Sequence, residues 1–265
     1  MSKIMKIQAL ISTMNRSDDS FLKNMNVGDD YVVVNQIATD CLVNYQRDSS
    51  IFVSLNEKGL SRSRNKAIQC ASGDIGVIAD DDLTYVSNYQ EIINKAYAEN
   101  QDADIIIFKA NSFGSNVRKL HDFGKNSRRL SFFDILKVSS VLITFRVQSI
   151  KDNNIYFDER FGSGSGSFSS GEENIFLKDC LDKGLKVYYY PAIILNIDLS
   201  ESSWFKGFNK DYFISKGALF NILFNNFSMF YSLIFLLKNY KKFGSELTFG
   251  QKIKCMVEGK RKVNK

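Results

Sequence analysis

Short apolar runs alternate with amphipathic segments along the first part of the chain. Four runs have the pattern of buried β-strands: 7–13, 31–35, 51–54 and 75–79. Helices are predicted at 61–71 and 88–100, the first with serines at its start and Gly73 at its end, and a further strand is predicted at 103–109. Strands that alternate with helices predict a mostly parallel α/β sheet, with ligands at the carboxyl ends of its strands.

The second half of the chain is less regular. A short helix is predicted at 131–138 and a strand at 141–147. A glycine- and serine-rich tract at 160–171 then leads into an amphipathic helix that two acids open at 172 and that ends near Gly184. Acids in the first turn of a helix interact favourably with the helix dipole, so a purely structural role would be enough to explain them. The tract before them instead favours a mobile loop above a site, with one carboxylate as a general base.

Three adjacent carboxylates follow the run at 75–79. On extended backbone Asp80 and Asp82 face one side and Asp81 the other, so the outer pair can share one hard cation such as Mg²⁺ or Mn²⁺. Such an ion leaves coordination positions open for diphosphate oxygens. The alternative is a solvated acidic turn that caps the following helix. The location at the end of a strand favours the metal and phosphate site.

Other polar residues lie at the ends of predicted strands. Ser12 and Thr13 end the first strand, and Asn35 ends the second. Because the carboxyl ends of parallel strands meet at one edge of a sheet, these side chains are expected to line the same pocket as the three acids.

The composition of the chain limits the kinds of active site that it can form. A chain of 265 residues with 44% hydrophobic content is long enough to bury one substantial core. The polar residues at 15–20 argue against a signal peptide, and the four separated cysteines are expected to be thiols in a reducing cytoplasm rather than zinc ligands. His121 is the single histidine, so a general base must be a carboxylate or this residue, and a serine triad is disfavoured.

The positive charge belongs to the end of the chain. Nine basic and two acidic side chains give residues 238–265 a charge of +7, so the preceding residues sum to −1 within the total of +6. Before this basic tail, the apolar segment Ala218–Leu237 approaches the ~20 residues of a bilayer span, but asparagines and serines interrupt it. A helix lying in the headgroup region is favoured over a core helix with a solvated basic end, or a nucleic-acid patch.

Three motifs, in this order, resemble the family 2 glycosyltransferases of the GT-A fold. They are the segment GLSRSRNKAI at 59–68, the acids Asp80–Asp82 after an apolar strand, and Phe161-Gly162 followed by Gly171-Glu172-Glu173 before an amphipathic helix. The resemblance covers roughly residues 7–197. It implies an α/β GT-A domain over 1–200, with a mostly parallel nucleotide-binding sheet flanked by helices, and a C-terminal basic helical segment over 201–265 that associates with the membrane.

The resemblance also implies roles for individual residues. Arg64 and Asn65 would lie beside the nucleotide. Asp82, with Asp80, would hold Mn²⁺ or Mg²⁺, and Asp81 would contact the ribose or the donor sugar.

The second acid of the later pair would be the general base. This position is Glu173, where the family has aspartate, so the assignment between Glu172 and Glu173 stays open. Trp204 is as consistent with a core aromatic residue as with a stacking platform for a sugar ring.

The implied activity is inverting transfer of one hexosyl or N-acetylhexosaminyl unit from a nucleotide sugar, with UDP expected. The acceptor would be a hydroxyl of a glycan or lipid-linked oligosaccharide in bacterial capsule or surface polysaccharide synthesis. The Q-x-x-R-W motif of processive members is absent. The enzyme would act in the cytoplasm, peripherally at the inner face of the plasma membrane, without a nucleic-acid partner. The alternatives are a nucleotidyltransferase on a related fold and a catalytically inactive membrane-bound partner of a glycan assembly complex.

Overall fold

The computed structural model describes residues 4–38, 44–114, 120–198 and 207–264. The strands in these ranges are β1 Ile7–Met14, β2 Tyr31–Gln36, β3 Asn44–Arg47, β4 Ser50–Leu55, β5 Ile75–Asp80, β6 Thr84–Tyr85, β7 Ile105–Phe113, β8 Arg128–Arg129, β9 Ile143–Arg146 and β10 Val187–Asp198. The helices are α1 Leu22–Met25, α2 Leu60–Cys70, α3 Tyr89–Glu99, α4 Phe132–Ile135, α5 Val147–Asp152, α6 Glu172–Asp182, α7 Lys210–Phe224, α8 Ser228–Lys238 and α9 Phe249–Val263.

The strands form one mixed sheet with the order β3-β4-β2-β1-β5-β9-β7-β10-β6, and β8 pairs with β10. The neighbours β4, β2, β1 and β5 run parallel, as do β7 and β10, whereas β9 is antiparallel to both β5 and β7. The central strands are buried on both faces, as parallel strands covered by helices must be. The predicted α/β class and the four early strands are confirmed.

The second half departs from the sequence prediction in several elements. The helix predicted at 131–138 is a single turn, α4, and the strand predicted at 141–147 is the shorter β9. The pattern did not predict β10, whose twelve residues include the sole proline of the chain. Pro191 lies between Tyr189 and Ile193, where the pairing of β10 with β7 shifts register. A bulge of this kind is where a strand tolerates a residue without a backbone N–H.

The chain divides into two compact units. Unit 1 contains Met1–Lys58, Arg62–Tyr156 and Phe176–Glu201, and therefore the sheet. Unit 2 contains Gly59–Ser61, Phe157–Ile175 and Ser202–Lys265.

In unit 2, glycines let α7 and α9 meet at their backbones. A Cβ added to Gly259 would lie 1.9 Å from the Ile214 carbonyl oxygen, and one added to Gly217 would lie 2.0 Å from that of Met256. A cluster of buried side chains that includes Phe213, Leu236 and Met256 fills the core of this unit.

The segment Ala218–Leu237 is not one helix, contrary to the sequence prediction. The helix α7 ends at Phe224, Asn225 has a left-handed φ of 47°, and α8 starts after a short 3₁₀ turn. Ring pairs Phe220–Phe235 and Phe224–Tyr231 show that α8 folds back along α7. The stretch Lys210–Lys238 is the one candidate membrane span in the described residues by length and composition, but this turn divides it into a hairpin.

The basic tail is also not uniformly solvated. Lys252 is buried, its Nζ donates a hydrogen bond to the Gly244 carbonyl oxygen at 3.0 Å, and it lies 5.9 Å from the ring centres of Phe213 and Phe243. This lysine is therefore part of the core of unit 2 and does not contribute to a surface charge.

Candidate active site

Four neighbouring strands of unit 1 carry polar residues at or just before their carboxyl ends, and these residues lie side by side. In the sheet register Ser12 is opposite Asp80, Thr13 is opposite Asn35, and Asn35 is opposite Ser54. Except for Asp80, these residues are buried. The carboxyl edge of the parallel sheet thus gathers hydroxyl, amide and carboxylate groups, as a binding edge of an α/β sheet does.

Asn35 holds the loop that follows β1. Its Oδ1 accepts a hydrogen bond from the Arg16 backbone N–H at 2.9 Å, and its Nδ2 donates to the Arg16 carbonyl oxygen at 2.7 Å and to Ser54 Oγ at 3.2 Å. With both its amide groups bonded to the backbone of one residue, Asn35 positions Arg16. Asn35 therefore fixes the backbone at the start of the loop that follows β1.

Arg16 in turn positions Asp81. The guanidinium donates to Asp81 Oδ2 from Nη2 at 2.7 Å and from Nε at 3.1 Å, and Thr13 Oγ1 donates to the same oxygen at 2.6 Å. Charge-assisted hydrogen bonds of this kind restrict the rotamer of the carboxylate. Sequence reasoning missed Arg16, although it is the one basic residue in the polar loop at 15–20.

A buried arginine faces Asp80. Arg64 on α2 is 1% exposed, its Nη2 lies 3.2 Å from Asp80 Oδ1, and it donates to Ser140 Oγ at 2.9 Å. The preceding residue of the helix, Ser63, donates to Ser12 Oγ at 2.9 Å, and the following residue, Asn65, is buried. Arg64 therefore supplies a preorganised positive charge at the strand ends.

The strict alternation predicted for the three acids is wrong, because β5 ends at Asp80 and the two following residues form a turn. Asp80 and Asp81 have different cationic partners, Arg64 and Arg16. The side chain of Asp82 is exposed, yet its pKa is raised, because reduced hydration and the negative charges of Asp80 and Asp81 disfavour its ionised form.

These carboxylates have the chemistry to bind a hard divalent cation, but they do not form a complete set of ligands on their own. Among the described residues, no group of three or more His, Cys, Asp or Glu side chains is arranged to hold a metal. Besides its reduced hydration, Asp82 is repelled by the negative charges of Asp80 and Asp81, and a bound cation relieves repulsion of this kind. Carboxylate oxygens are also the ligands that Mg²⁺ and Mn²⁺ prefer. Further ligands would come from water and from phosphate oxygens, as is usual for Mg²⁺ sites.

The second acid pair opens α6 and belongs to unit 2. Glu172 is buried, whereas Glu173 is partly exposed. A Cβ added to Gly162 would lie 3.3 Å from Glu172 Cδ and 3.1 Å from Ser61 Oγ, and Gly162 has a left-handed φ of 107°. The backbone at Gly162 thus packs directly against the first acid of the pair.

Helix α7 supports the segment in front of this pair. A Cβ on Gly171 would lie 2.7 Å from Leu219 Cδ2, and Ser215 Oγ accepts a hydrogen bond from the Ser169 backbone N–H at 3.0 Å. The glycine- and serine-rich tract 160–171 also has apolar anchors, since Phe161 and Phe168 are buried with ring centres 4.6 Å apart. The start of α6 and both ends of the tract that leads to it are therefore held by packing.

Trp204 and His121 are the remaining residues that the sequence singles out. Trp204 lies outside the described residues. His121 packs edge-on against Phe123, and burial together with the charge of Lys137 lowers the pKa of its imidazole. Besides Arg16, the sequence reasoning missed three hydroxyl groups in the strand-end network: Ser54, Ser63 and Ser140.

A family model described as glycosyl transferase family 2 matches residues 29–163, about half of the chain. The chain belongs to this family, and the matched residues include Asn35, Arg64 and the three acids at 80–82. A comparison with curated protein sequences found no match.

Solved structures of TarS from S. aureus share the fold. TarS 1-349 in complex with UDP-GlcNAc matches with a TM-score of 0.66 at 15% identity, over 96% of this chain and 81% of that one. TarS 1-349 without a named ligand matches with a TM-score of 0.62 at 13% identity, over 98% and 83%. The longer TarS matches with a TM-score of 0.64 at 14% identity, and there the chain spans 49% of the neighbour. The fold is thus that of the GT-A glycosyltransferases.

Proposed function

We propose that this chain is an inverting glycosyltransferase that moves one sugar from a UDP-sugar to a hydroxyl of a glycan or lipid-linked acceptor. The observation that carries the proposal is the buried Arg64 beside Asp80, at an edge where four strands present polar side chains, within residues that match the family. The fold neighbour crystallised with UDP-GlcNAc supports a uridine donor. Bacterial surface polysaccharide synthesis is the setting we propose for this reaction.

The strand-end network is assigned to the nucleotide. Arg64 and Asn65 face the diphosphate, where a fixed guanidinium binds phosphate oxygens well. Asp81, held in one rotamer by Arg16 and Thr13, accepts hydrogen bonds from the ribose hydroxyls. Ser12 and Asn35 fix the neighbouring backbone and α2, so the site needs little reorganisation when the donor binds.

Asp82, with Asp80, is assigned to a divalent cation, Mn²⁺ or Mg²⁺. When bound, such an ion offsets the negative charge of the diphosphate leaving group. Asp82 suits this role because its side chain is exposed and because the negative charges of Asp80 and Asp81 disfavour its ionised form, which a cation would stabilise.

Glu173 is assigned as the general base. It is the more exposed acid of the pair, whereas Glu172 is buried against Gly162 and is better suited to positioning the start of α6. The Glu173 carboxylate accepts the proton of the acceptor hydroxyl as its oxygen attacks the anomeric carbon. The bond from that carbon to the diphosphate breaks on the opposite face, and UDP leaves with the electron pair. A general base of this kind contributes about 10²- to 10⁴-fold to the rate.

The test is release of nucleoside diphosphate from a panel of nucleotide sugars, with and without glycan acceptors, in Mn²⁺ and in excess EDTA. We expect one UDP-sugar to be turned over, EDTA to abolish the reaction, and Glu173→Gln to lower kcat by about 10²-fold or more with donor affinity kept. Full activity in EDTA would remove the metal assignment. An inactive Glu172→Gln beside an active Glu173→Gln would reverse the two acid roles, and no turnover of any donor would contradict the proposed reaction.

A further inference from the structure

Helix α8 buries one side and exposes the other. Tyr231 and Phe235 pack on rings of α7, and Ser232 and Leu236 are buried. The opposite side, together with the turns that flank the helix, carries exposed apolar side chains. We name this set the outer face of α8: Phe227, Phe230, Leu233, Ile234, Leu237 and Tyr240.

The outer face is a concentrated patch rather than scattered exposure. Among the described residues eleven large hydrophobic side chains are exposed, and six of them lie in this stretch of fourteen residues. They recur at intervals of three and four positions, which places them on one side of a helix. Phe227 is 69% exposed and Leu237 is 66% exposed. Single exposed apolar residues need no explanation, but a contiguous patch indicates a partner.

The charge beside the outer face indicates what kind of partner covers it. Lys238, Lys241 and Lys242 are exposed at its C-terminal end. No acidic residue occurs between Asp211 and Glu246 in the sequence. An apolar face with aromatic residues and adjoining lysines suits the boundary between acyl chains and anionic headgroups. A second copy of the chain fits poorly, because its own outer face contains no acidic residue to pair with these lysines.

We propose that the outer face of α8 inserts into the headgroup region of an anionic lipid bilayer, with Lys238, Lys241 and Lys242 against the lipid phosphates. This attachment deepens the proposed function, on which it rests, because it brings the enzyme to a lipid-linked acceptor. It differs from the sequence expectation in one respect. The residues of α7 from Ala218 to Leu223 do not take part, since Ala218, Leu219 and Leu223 are buried.

The test uses co-sedimentation of the full chain with phosphatidylcholine vesicles, with or without phosphatidylglycerol. Point variants are preferable to truncation, because deleting residues from 218 onward would remove Leu219 from its contact with Gly171. The apolar variant is Phe230→Ser with Leu237→Ser. Its matched control is Phe133→Ser, which alters another exposed aromatic residue, 55% exposed and in unit 1. The charge variant replaces the three lysines with glutamine.

We expect the wild type and Phe133→Ser to bind anionic vesicles equally. The apolar variant should bind about 10-fold or more weakly, and the charge variant about 10- to 100-fold more weakly at low salt. Equal binding by the apolar variant and the wild type would overturn the proposal. So would a wild type that ignores vesicles but forms a dimer that the apolar variant loses.

Two readouts separate this proposal from the proposed function. Circular dichroism confirms that each variant is folded, and UDP release from a soluble donor reports the active site. Loss of vesicle binding with UDP release intact supports the membrane face. Vesicle binding that follows the expected variant pattern in a chain that turns over no donor would support the membrane face and contradict the glycosyltransferase.

Discussion

The contact between α7 and α9 yields a stability prediction with an internal control. In Gly259→Ala the new Cβ would lie 1.9 Å from the Ile214 carbonyl oxygen and 2.8 Å from the Ala218 backbone nitrogen. Carbon and carbonyl oxygen normally approach to about 3.3 Å, so the helices must separate by about 1.4 Å. The oxygen cannot turn aside, because it belongs to helical backbone.

The expected magnitude is the difference of two effects. Overpacking of a core costs about 1–3 kcal/mol and more where backbone is the obstacle, whereas alanine gains about 1 kcal/mol over glycine in helix propensity. We expect Gly259→Ala to lose about 2 kcal/mol, a fall in Tm of about 4–8 °C for a chain of this size. Gly250→Ala lies in the same helix in open space, so it should gain up to about 1 kcal/mol.

Thermal unfolding followed by far-ultraviolet circular dichroism measures both variants. Amide hydrogen exchange along α7 and α9 then shows whether the loss is local to their contact. If Gly259→Ala is as stable as the wild type while Gly250→Ala behaves as expected, the close backbone approach of the two helices is wrong.

Three further predictions concern the site and its supports. Gly162→Ala and Gly166→Ala both place a side chain at left-handed φ, but only the new Cβ at 162 meets other residues, among them Glu172, so only Gly162→Ala should lower kcat for UDP release, by several-fold, at unchanged donor affinity. Equal kcat values in the two variants would show that Gly162 does not support the acid pair. Arg16→Gln, which frees Asp81 from its ion pair, should weaken UDP binding by about 3- to 10-fold in calorimetry, and unchanged affinity would refute the positioning role. Hydrogen bonds from Arg128 hold the pKa of Asp134 well below its ordinary value, so ionised Asp134 stabilises the fold at pH values above the ordinary pKa, and this stabilisation is lost as pH falls through the lowered pKa. Asp134→Asn should therefore lower the free energy of unfolding by about 1 kcal/mol at pH 7. A loss of stability that is equally large in acid would contradict this role of Asp134.

The sheet edge could be predicted because it depends on local patterns. Short apolar runs mark β1, β2 and β5, and parallel pairing then places Ser12, Asn35 and Asp80 together without further information. The family resemblance added Arg64, which lies sixteen residues before its partner Asp80.

The other features of the site and the fold depend on contacts between residues far apart in the sequence, which no local pattern predicts. The partner of Asp81 is Arg16, 65 residues away, which reaches it because Asn35 holds the loop after β1. The apolar segment 218–237 has a composition that suits one helix, and the turn at Asn225 becomes visible once the rings of α7 and α8 are paired. Alternation failed for the acids because it holds only while the strand continues.

The dissociation constant for UDP in Mn²⁺ shows most directly whether the strand-end residues bind the nucleotide, and calorimetry measures it on the wild type, Arg64→Gln and Arg62→Gln. The two arginines lie on the same turn of α2, one buried beside Asp80 and one exposed. If the strand ends hold the diphosphate, Arg64→Gln loses about 10-fold or more in affinity, and Arg62→Gln, folded to the same degree by circular dichroism, binds as the wild type does. A wild type that does not bind UDP, or a folded Arg64→Gln with undiminished affinity, would contradict the assignment of the strand ends to the diphosphate.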